Sequence, residues 1–311
     1  MPFLIILAVL GGAGVLFFAI LGVCFFFAYY SPARPPRKDD DYPIPTGEVY
    51  DPFREIMISR IKETRAALSQ EFEITSFDGL TLRGKYYHCC DGAPIELMFP
   101  GYRGDAERDL CGGMQRCFEL GHSALIVDQR ACGRSDGSVI SFGINETRDL
   151  DSWLEFMISH FGKDVRIIIC GISMGAATVL LAAGRPLPEN VIGVLADCGY
   201  NSAEEIMKKV IKDIKLPVAP AFFLARLSGR LFGGFDVAAA CPEKALANAV
   251  LPIIFIHGNN DRFVPHYMSE KNFSACKSER KMLVTVDGAG HGLSYLVDKE
   301  KYISSLKEFF K

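Results

Sequence analysis

Three side chains in this sequence, Ser173, Asp261 and His291, have the chemical types needed for nucleophilic hydrolysis. A serine hydroxyl is a weak nucleophile at neutral pH and needs a base that accepts its proton. A histidine can be that base, and a carboxylate then holds the imidazole in the required tautomer and orientation. The three residues lie far apart along the chain, so this chemistry requires a fold that brings them together.

The segment around the serine predicts a sharp turn between a strand and a helix. An apolar run from Val165 to Cys170 leads into Gly171-Ile-Ser-Met-Gly175, and a helix-forming run follows to Gly184. The two glycines that flank Ser173 allow the backbone to approach closely at such a turn. The spacing alone is weak evidence in a chain with 29 glycines, so the base and the acid decide the interpretation.

One histidine stands out as the base because glycines surround it. His291 lies in Asp287-Gly-Ala-Gly-His-Gly292, directly after the last predicted strand. Glycines on both sides suit a loop that projects an imidazole. His257 lies at the end of an earlier strand and is interpreted as a structural histidine.

The orienting acid is predicted to be Asp261, which follows the predicted strand 252–256. It precedes His291, so the order along the chain is serine, acid, base, as one fold in particular requires. A role in capping its own loop is the alternative for Asp261. Asp287 is a weaker candidate for the acid because it lies too close to His291 along the chain.

The tetrahedral intermediate of acyl transfer needs preorganised N–H donors for its oxyanion. Met174, the residue after the serine, supplies one backbone N–H, and the helix that begins there directs its positive end at the site. The second donor is expected in the loop from Phe99 to Gly104, where the backbone of Tyr102 is the candidate.

Eight apolar or alternating runs predict the strands that must position these residues. They are residues 71–77, 80–87, 95–99, 123–127, 165–170, 191–196, 252–256 and 282–286. Helical patterns lie between them, so we expect an α/β fold with a mainly parallel eight-stranded sheet and helices on both faces. Residues 201–250 contain helical patterns but no strand, and they predict a small helical lid over the carboxyl edge of the sheet. Apolar lid residues such as Phe222 and Phe223 either contact the substrate or pack the lid down.

The amino-terminal segment predicts a membrane anchor. Residues 3–30 carry no charge and are almost wholly apolar, which is long enough for a single transmembrane helix. Residues 31–49 contain five prolines and are interpreted as a semi-extended linker. The prolines are Pro32, Pro35, Pro36, Pro43 and Pro45. Residues 50–311 then form the catalytic domain.

Charges after the apolar segment weakly favour a cytoplasmic domain. Arg34, Arg37 and Lys38 follow the segment, and the positive-inside rule retains such residues in the cytoplasm. Two glycosylation-type triplets, at Asn145 and Asn272, point the other way, although such triplets often arise by chance.

Composition excludes several other classes of protein. The net charge is −3, from 34 basic and 37 acidic residues, so nucleic acid is not expected as a partner. The 10 cysteines show no framework spacing, which favours free thiols over a disulfide scaffold or a zinc site. No phosphate-binding loop is present, and no cofactor or metal is expected. The oligomeric state stays open.

Further motifs resemble those of the α/β-hydrolase superfamily over nearly all of residues 71–311. Asp128-Gln-Arg-Ala-Cys-Gly-Arg-Ser-Asp-Gly137 is similar to a loop of that family, with Ala131 in place of a usual glycine. Arg130 and Ser135 in this loop are interpreted as supports. With the apolar amino terminus, the chain resembles bacterial membrane-anchored serine hydrolases. The loop before Tyr102 departs from the common His-Gly form, because Pro100 precedes Gly101.

The resemblance implies acyl transfer to water through an acyl-serine intermediate, without a cofactor. The first hypothesis is hydrolysis of a carboxylic ester, either a small molecule or a lipid-like compound with an apolar acyl part. The second is a peptidase or amidase that uses the same Ser173, Asp261 and His291. The third is a catalytically silent, membrane-tethered binding module, which would not need all three groups.

Overall fold

A computed structural model describes residues 2–32, 38 and 40–311, and for residues 2–9 only the course of the backbone. Eight strands form one sheet in the order β1-β2-β4-β3-β5-β6-β7-β8. The strands are β1 (Gln70–Thr75), β2 (Thr81–Tyr87), β3 (Ile95–Phe99), β4 (Ser123–Val127), β5 (Ile167–Ile172), β6 (Val191–Asp197), β7 (Ile253–Gly258) and β8 (Lys281–Val286). Only β2 runs antiparallel to its neighbours β1 and β4, and the remaining pairs are parallel. The predicted α/β fold with a mainly parallel eight-stranded sheet is confirmed.

Twelve α-helices lie among the described residues. They are α1 (Pro2–Ala28), α2 (Arg54–Ala66), α3 (Ala106–Asp109), α4 (Gly113–Glu119), α5 (Ile144–Phe161), α6 (Met174–Ala183), α7 (Ala203–Asp213), α8 (Val218–Ser228), α9 (Pro242–Ala245), α10 (Tyr267–Ala275), α11 (Ser294–Val297) and α12 (Lys299–Phe309). Short 3-10 segments at Asp51–Phe53, Val237–Ala239 and Leu246–Asn248, and a π-helical turn at Gly229–Gly233, complete the helical structure.

The core lies on both faces of the sheet because the central strands are almost wholly apolar. Every residue of β3 and β4 is buried. Leu97 and Phe99 face the cluster around Trp153, while Met98 faces the opposite cluster, with Ile126 of β4. Continuous apolar runs of this kind are typical of parallel strands that are covered on both sides.

Two helix boundaries differ from the sequence patterns because side chains cap them. The pattern indicates a helix over 149–161, but α5 begins at Ile144, where the Glu146 carboxylate accepts hydrogen bonds from the backbone N–H of Ser141 and Gly143. The pattern over 293–310 divides into α11 and α12. Asp298 at the division accepts from the N–H of Lys301 and starts the second helix.

Helix α1 is long and apolar enough to cross a membrane over Leu10–Ala28, and a signal sequence near an amino terminus has the same properties. Its carboxyl end packs into the domain. Leu21 and Tyr29 are fully buried, and the Tyr29 O–H donates to the carbonyl of Ala225 in α8 at 3.0 Å. The next residues continue this attachment, since Ser31 N–H donates to the carbonyl of Ser138.

Of the residues assigned to the linker, residues 33–37 and 39 lie outside the described residues, and Arg34, Pro35, Pro36 and Arg37 are among them. The end of that segment lies against the domain, because Val49 lies beside Gly290 and the next residue, Tyr50, donates its O–H to the backbone carbonyl of His291 at 3.0 Å. The sequon at Asn272 is fully buried, and its side chain donates to the carbonyl of Tyr200. A glycan cannot be attached to this asparagine in the folded chain.

Candidate active site

The turn after β5 holds Ser173 in an unusual backbone conformation, with φ 57° and ψ −116°. Such a conformation is rare for a residue with a side chain and is found where the surrounding structure enforces it. The two flanking glycines explain how it is tolerated. A Cβ on Gly171 would lie 2.1 Å from the backbone of Gly175, and one on Gly175 would lie 2.1 Å from the carbonyl oxygen of Phe99. The packing of α6 against β5 and β3 therefore fixes the position of the serine.

The three residues predicted from the sequence meet at the carboxyl edge of the sheet. The distance between Ser173 Oγ and His291 Nε2 is 3.0 Å. His291 Nδ1 lies 2.7 Å from Asp261 Oδ2, so the imidazole lies between the hydroxyl and the carboxylate. Ser173 follows β5, Asp261 follows β7 and His291 follows β8, and these parallel strands, with β6 between β5 and β7, end at one edge of the sheet.

Asp261 is held by four hydrogen bonds. Its Oδ1 accepts from the backbone N–H groups of Phe263 and Val264, both at 2.9 Å, and its Oδ2 faces His291 and His257. Burial alone would raise the pKa of this carboxyl, but the hydrogen bonds from the two histidines outweigh burial and hold the pKa well below its usual range. The carboxylate therefore stays ionised at any pH at which His291 can act as a base.

His257 was interpreted from the sequence as a structural histidine, and the structure places it directly against the acid. It is fully buried, with Nε2 2.9 Å from the carbonyl oxygen of Val264 and 3.1 Å from Asp261 Oδ2. Both partners are acceptors, so Nε2 carries the proton and Nδ1 accepts from the Ser269 hydroxyl at 2.6 Å. His257 thus fixes the orientation of the carboxylate. The spacing of four residues in His257-Gly-Asn-Asn-Asp261 is the sequence signal for this contact.

The candidate oxyanion donors belong to the residue after the serine and to the loop that packs against it. Met174 is the first residue of α6, so no preceding helical carbonyl can accept its N–H. On the other side, Gly101 lies so close that a Cβ there would be 3.3 Å from Ser173 Cβ. The Asp109 carboxylate accepts from the Gly101 N–H at 2.8 Å and anchors this loop, and the Tyr102 side chain extends away to the carbonyl of Ala28.

The loop after β4 supports the site without reaching the serine. The Asp128 carboxylate accepts from the N–H groups of Ala106 and Arg134, and the Ser135 hydroxyl donates to the Asp128 carbonyl. Arg130 makes bidentate ion pairs with Asp149 and Asp78. Ala131, which replaces the family's usual glycine, takes the left-handed conformation with φ 57°.

A cavity of about 730 Å³ opens onto Ser173 and His291. Pro45, Glu48, Val49 and Tyr50 line one side of it, although the sequence assigns the first three to the linker. Within the part of the chain that the structure describes, no residue between 201 and 250 lines this cavity. The expected helical insertion is present, but its apolar residues pack with Met174 and the end of α1 instead of facing the cavity.

Among the residues that the structure describes, one group of three side chains has the types and the closeness needed to bind a metal ion. The ligand atoms of Cys198, Asp261 and His291 lie within 4.8 Å of one another. Two of these atoms already bond to each other, and burial raises the pKa of the Cys198 thiol well above its usual value. All ten cysteines are described, and each is a free thiol.

A family model described as "Alpha/beta hydrolase family" matches residues 100–303. The chain belongs to this family. The match includes the three residues that meet at the carboxyl edge, whereas the cavity wall at residues 45–50 lies before it.

Two curated relatives illustrate how far the similarity in sequence extends. An uncharacterized protein of Bacillus subtilis, YqkD, is 27% identical over 197 residues, which cover 63% of this chain and 64% of the relative. A thiohydrolase of Arthrinium phaeospermum, apmlB, is 33% identical over 138 residues, or 42% of this chain and 43% of the relative. The chain thus spans less than two thirds of the length of either relative.

Solved structures share the fold at low sequence identity. An esterase of Pyrococcus furiosus superposes with a TM-score of 0.66 at 20% identity, covering 90% of this chain and 98% of the esterase. Est1E of Butyrivibrio proteoclasticus, with ferulic acid bound, superposes with a TM-score of 0.58 at 18% identity, covering 77% of this chain and 97% of Est1E.

Proposed function

We propose that the chain is a serine hydrolase that cleaves a carboxylic ester through an acyl-serine intermediate. The observation that carries the proposal is the continuous hydrogen-bonded series from Ser173 Oγ through His291 to Asp261 Oδ2, at 3.0 and 2.7 Å. The strained turn at Ser173 adds support, because such conformations persist where the surrounding structure serves a function. The family's esterase and thiohydrolase relatives are consistent with acyl transfer.

The reaction follows from the groups present. Ser173 Oγ attacks the ester carbonyl while His291 Nε2 takes the hydroxyl proton, and the ionised Asp261 stabilises the imidazolium. The backbone N–H groups of Met174 and Tyr102 stabilise the oxyanion of the tetrahedral intermediate. His291 then gives its proton to the departing alcohol. A water molecule repeats the sequence on the acyl-serine, which releases the acid and restores the serine.

The cavity supports an acyl group with an apolar part. Met57, Leu110 and Leu195 line it, and each Å² of apolar substrate surface that they cover contributes about 25 cal/mol to binding. Burial of a short alkyl chain would thus offset part of the entropy lost on binding. A small-molecule or lipid-like ester therefore fits this site better than a charged polymer.

Active-site labelling tests the proposal. Full-length protein should react covalently with a fluorophosphonate probe, and the Ser173→Ala variant should not. The Ser202→Ala variant is a matched control, because Ser202 caps α7 outside the cavity. Identical labelling of wild type and Ser173→Ala would reject the serine. p-Nitrophenyl esters of increasing acyl length and peptidyl anilides then separate the reactions, and dominant anilide cleavage would assign the same site to an amidase.

We also propose that α1 anchors the chain with its domain on the cytoplasmic side. Lys38 and the basic residues before it support this sidedness through the positive-inside rule. Cys90 is exposed, so its reaction with a thiol reagent can show on which side of the membrane the domain lies. A membrane-impermeant maleimide should label Cys90 only after the cells are opened, whereas labelling in intact cells would place the domain outside.

A further inference from the structure

The helical insertion presents apolar side chains to solvent, and its α8 and π-helical turn pack against α1. Five large residues in and between α7, α8 and the π-helical turn are exposed: Ile214, Leu216, Phe223, Leu231 and Phe232. Phe223 is the most accessible of them, at 61% of its maximum. Exposed apolar residues that cluster on one surface mark a site of interaction, unlike single ones scattered over a protein.

Helix α1 packs directly beside this surface. Phe25 contacts Phe232 edge-to-face, with ring centroids 5.7 Å apart. Gly229 lets the turn approach Tyr29, since a Cβ there would lie 3.2 Å from the tyrosine ring. The buried Leu21, the partly buried Phe25 and Ala28, and the buried Tyr29 just after α1 follow one helical face.

The other face of the same helical turns remains apolar and uncovered. Val23, Phe26 and Phe27 are exposed, Phe27 to 70%. Each lies at the same height along α1 as the residues that contact the insertion. Whatever medium covers these three side chains must therefore also reach the insertion beside them.

If the medium is a bilayer, the length of α1 determines how deeply the end of the helix lies in it. With 27 residues, α1 is about 40 Å long, against a hydrocarbon core of about 30 Å. The stretch from Leu21 to Tyr29 is about 12 Å long, so it occupies the boundary between acyl chains and headgroups. Lys212, Asp213 and Lys215 lie beside Ile214 and are exposed like it, so the two lysines would be available to anionic headgroups.

We infer that the exposed apolar surface of the helical insertion is immersed in the membrane leaflet that α1 crosses. The surface is defined by Ile214, Leu216, Phe223, Leu231 and Phe232. A lipid leaflet is the occupant because this surface continues the uncovered apolar face of α1. The inference depends on α1 being a membrane helix and is independent of the proposed reaction.

Tryptophan fluorescence in vesicles tests this with the full-length chain. Trp153 is the only tryptophan, and it is buried at 1% exposure, so it contributes a constant background. A Phe223→Trp variant is reconstituted into vesicles of phosphatidylcholine and phosphatidylglycerol, with or without bromine near the headgroup end of the acyl chains. Phe18→Trp in α1 is the positive control. Leu68→Trp, at a position 95% exposed before β1, is the negative control.

An indole immersed about 5–10 Å into the leaflet lies beside these bromines, so Phe223→Trp should lose about half of its added emission. Leu68→Trp should lose almost none. Quenching at Phe18→Trp without quenching at Phe223→Trp would overturn the inference while keeping the anchor. A blue-shifted but unquenched signal at Phe223→Trp would overturn it by showing that protein, such as a second copy of the chain, covers the surface. Absence of quenching at Phe18→Trp would overturn both the inference and the assignment of α1 as a membrane anchor.

Discussion

Replacing Asp261 by asparagine should slow ester hydrolysis by about one to two orders of magnitude. The backbone donors of Phe263 and Val264 hold Oδ1, so the new amide nitrogen would occupy the position of Oδ2. At that position the amide nitrogen donates a hydrogen bond to His291, whereas the carboxylate oxygen accepts one from it. His291 would then present an unprotonated Nδ1 to the amide and a protonated Nε2 to Ser173, which leaves the serine without a base.

Two hydrogen bonds meet at Oδ2, from His291 at 2.7 Å and from His257 at 3.1 Å. A hydrogen bond to a charged group contributes about 1.5–3 kcal/mol, and this amount for the His291 bond alone corresponds to about one to two orders of magnitude in rate. Only the bond to His291 changes during the reaction. The loss from His257 should appear as a lower free energy of unfolding, and the wrong tautomer of His291 as a lower kcat.

The assay is kcat/KM for p-nitrophenyl butyrate with full-length protein in detergent, with near-UV circular dichroism to verify folding. Asp287→Asn is the matched control, because Asp287 is exposed and only accepts from the Asn259 side chain at 2.7 Å. It should change kcat/KM by less than about threefold, as expected for a surface substitution. Retention of more than about a tenth of the activity by Asp261→Asn would refute the assigned role, because this corresponds to less than about 1.4 kcal/mol. An equal loss in Asp287→Asn would identify the other carboxylate as the acid.

Two further predictions concern stability. Ala131→Gly should raise the free energy of unfolding by about 0.5–1 kcal/mol in urea denaturation, because glycine relieves the left-handed strain at φ 57° by more than its extra chain entropy costs; a loss would contradict this. Burial raises the pKa of Asp197 to about 6, despite the hydrogen bond from Tyr302. Folding therefore favours the protonated acid, and its stabilising effect is complete below the unfolded pKa of about 3.9 and lost as the pH rises through about 6. Relative to wild type, Asp197→Asn should gain about 2–3 kcal/mol between pH 4 and pH 8 in thermal or urea unfolding, whereas a difference independent of pH would reject the raised pKa.

The strands and the elbow could be predicted because their signals are local. The run from Val165 to Cys170 predicts β5 to within two residues. Gly171 is required by a contact with the nearby Gly175, whereas Gly175 itself is required by the carbonyl of Phe99 on β3. The serine, acid and base are likewise found from the ends of predicted strands. Parallel strands bring such ends together at one edge of the sheet, so the topology predicts a contact between residues that are far apart in sequence.

Contacts between distant segments could not be predicted. Tyr50 and His291 are 241 residues apart, and no pattern in residues 45–49, just before Tyr50, distinguishes a linker from the wall of a cavity. The end of α1 presents a similar ambiguity. An apolar stripe at Leu21, Phe25 and Tyr29 has the same sequence pattern whether lipid or protein covers it, and only the position of α8 shows that protein does.

The wall of the cavity at residues 45–50 has a consequence for how this chain can diverge from its relatives. The family match begins at residue 100, so it includes Ser173, Asp261 and His291 but not this part of the pocket. An exchange of the segment before α2 between two relatives would alter the shape of the pocket while leaving Ser173, Asp261 and His291 unchanged. Chimeric chains joined at this position should differ in their preference for the acyl group of the substrate while they keep the same three residues.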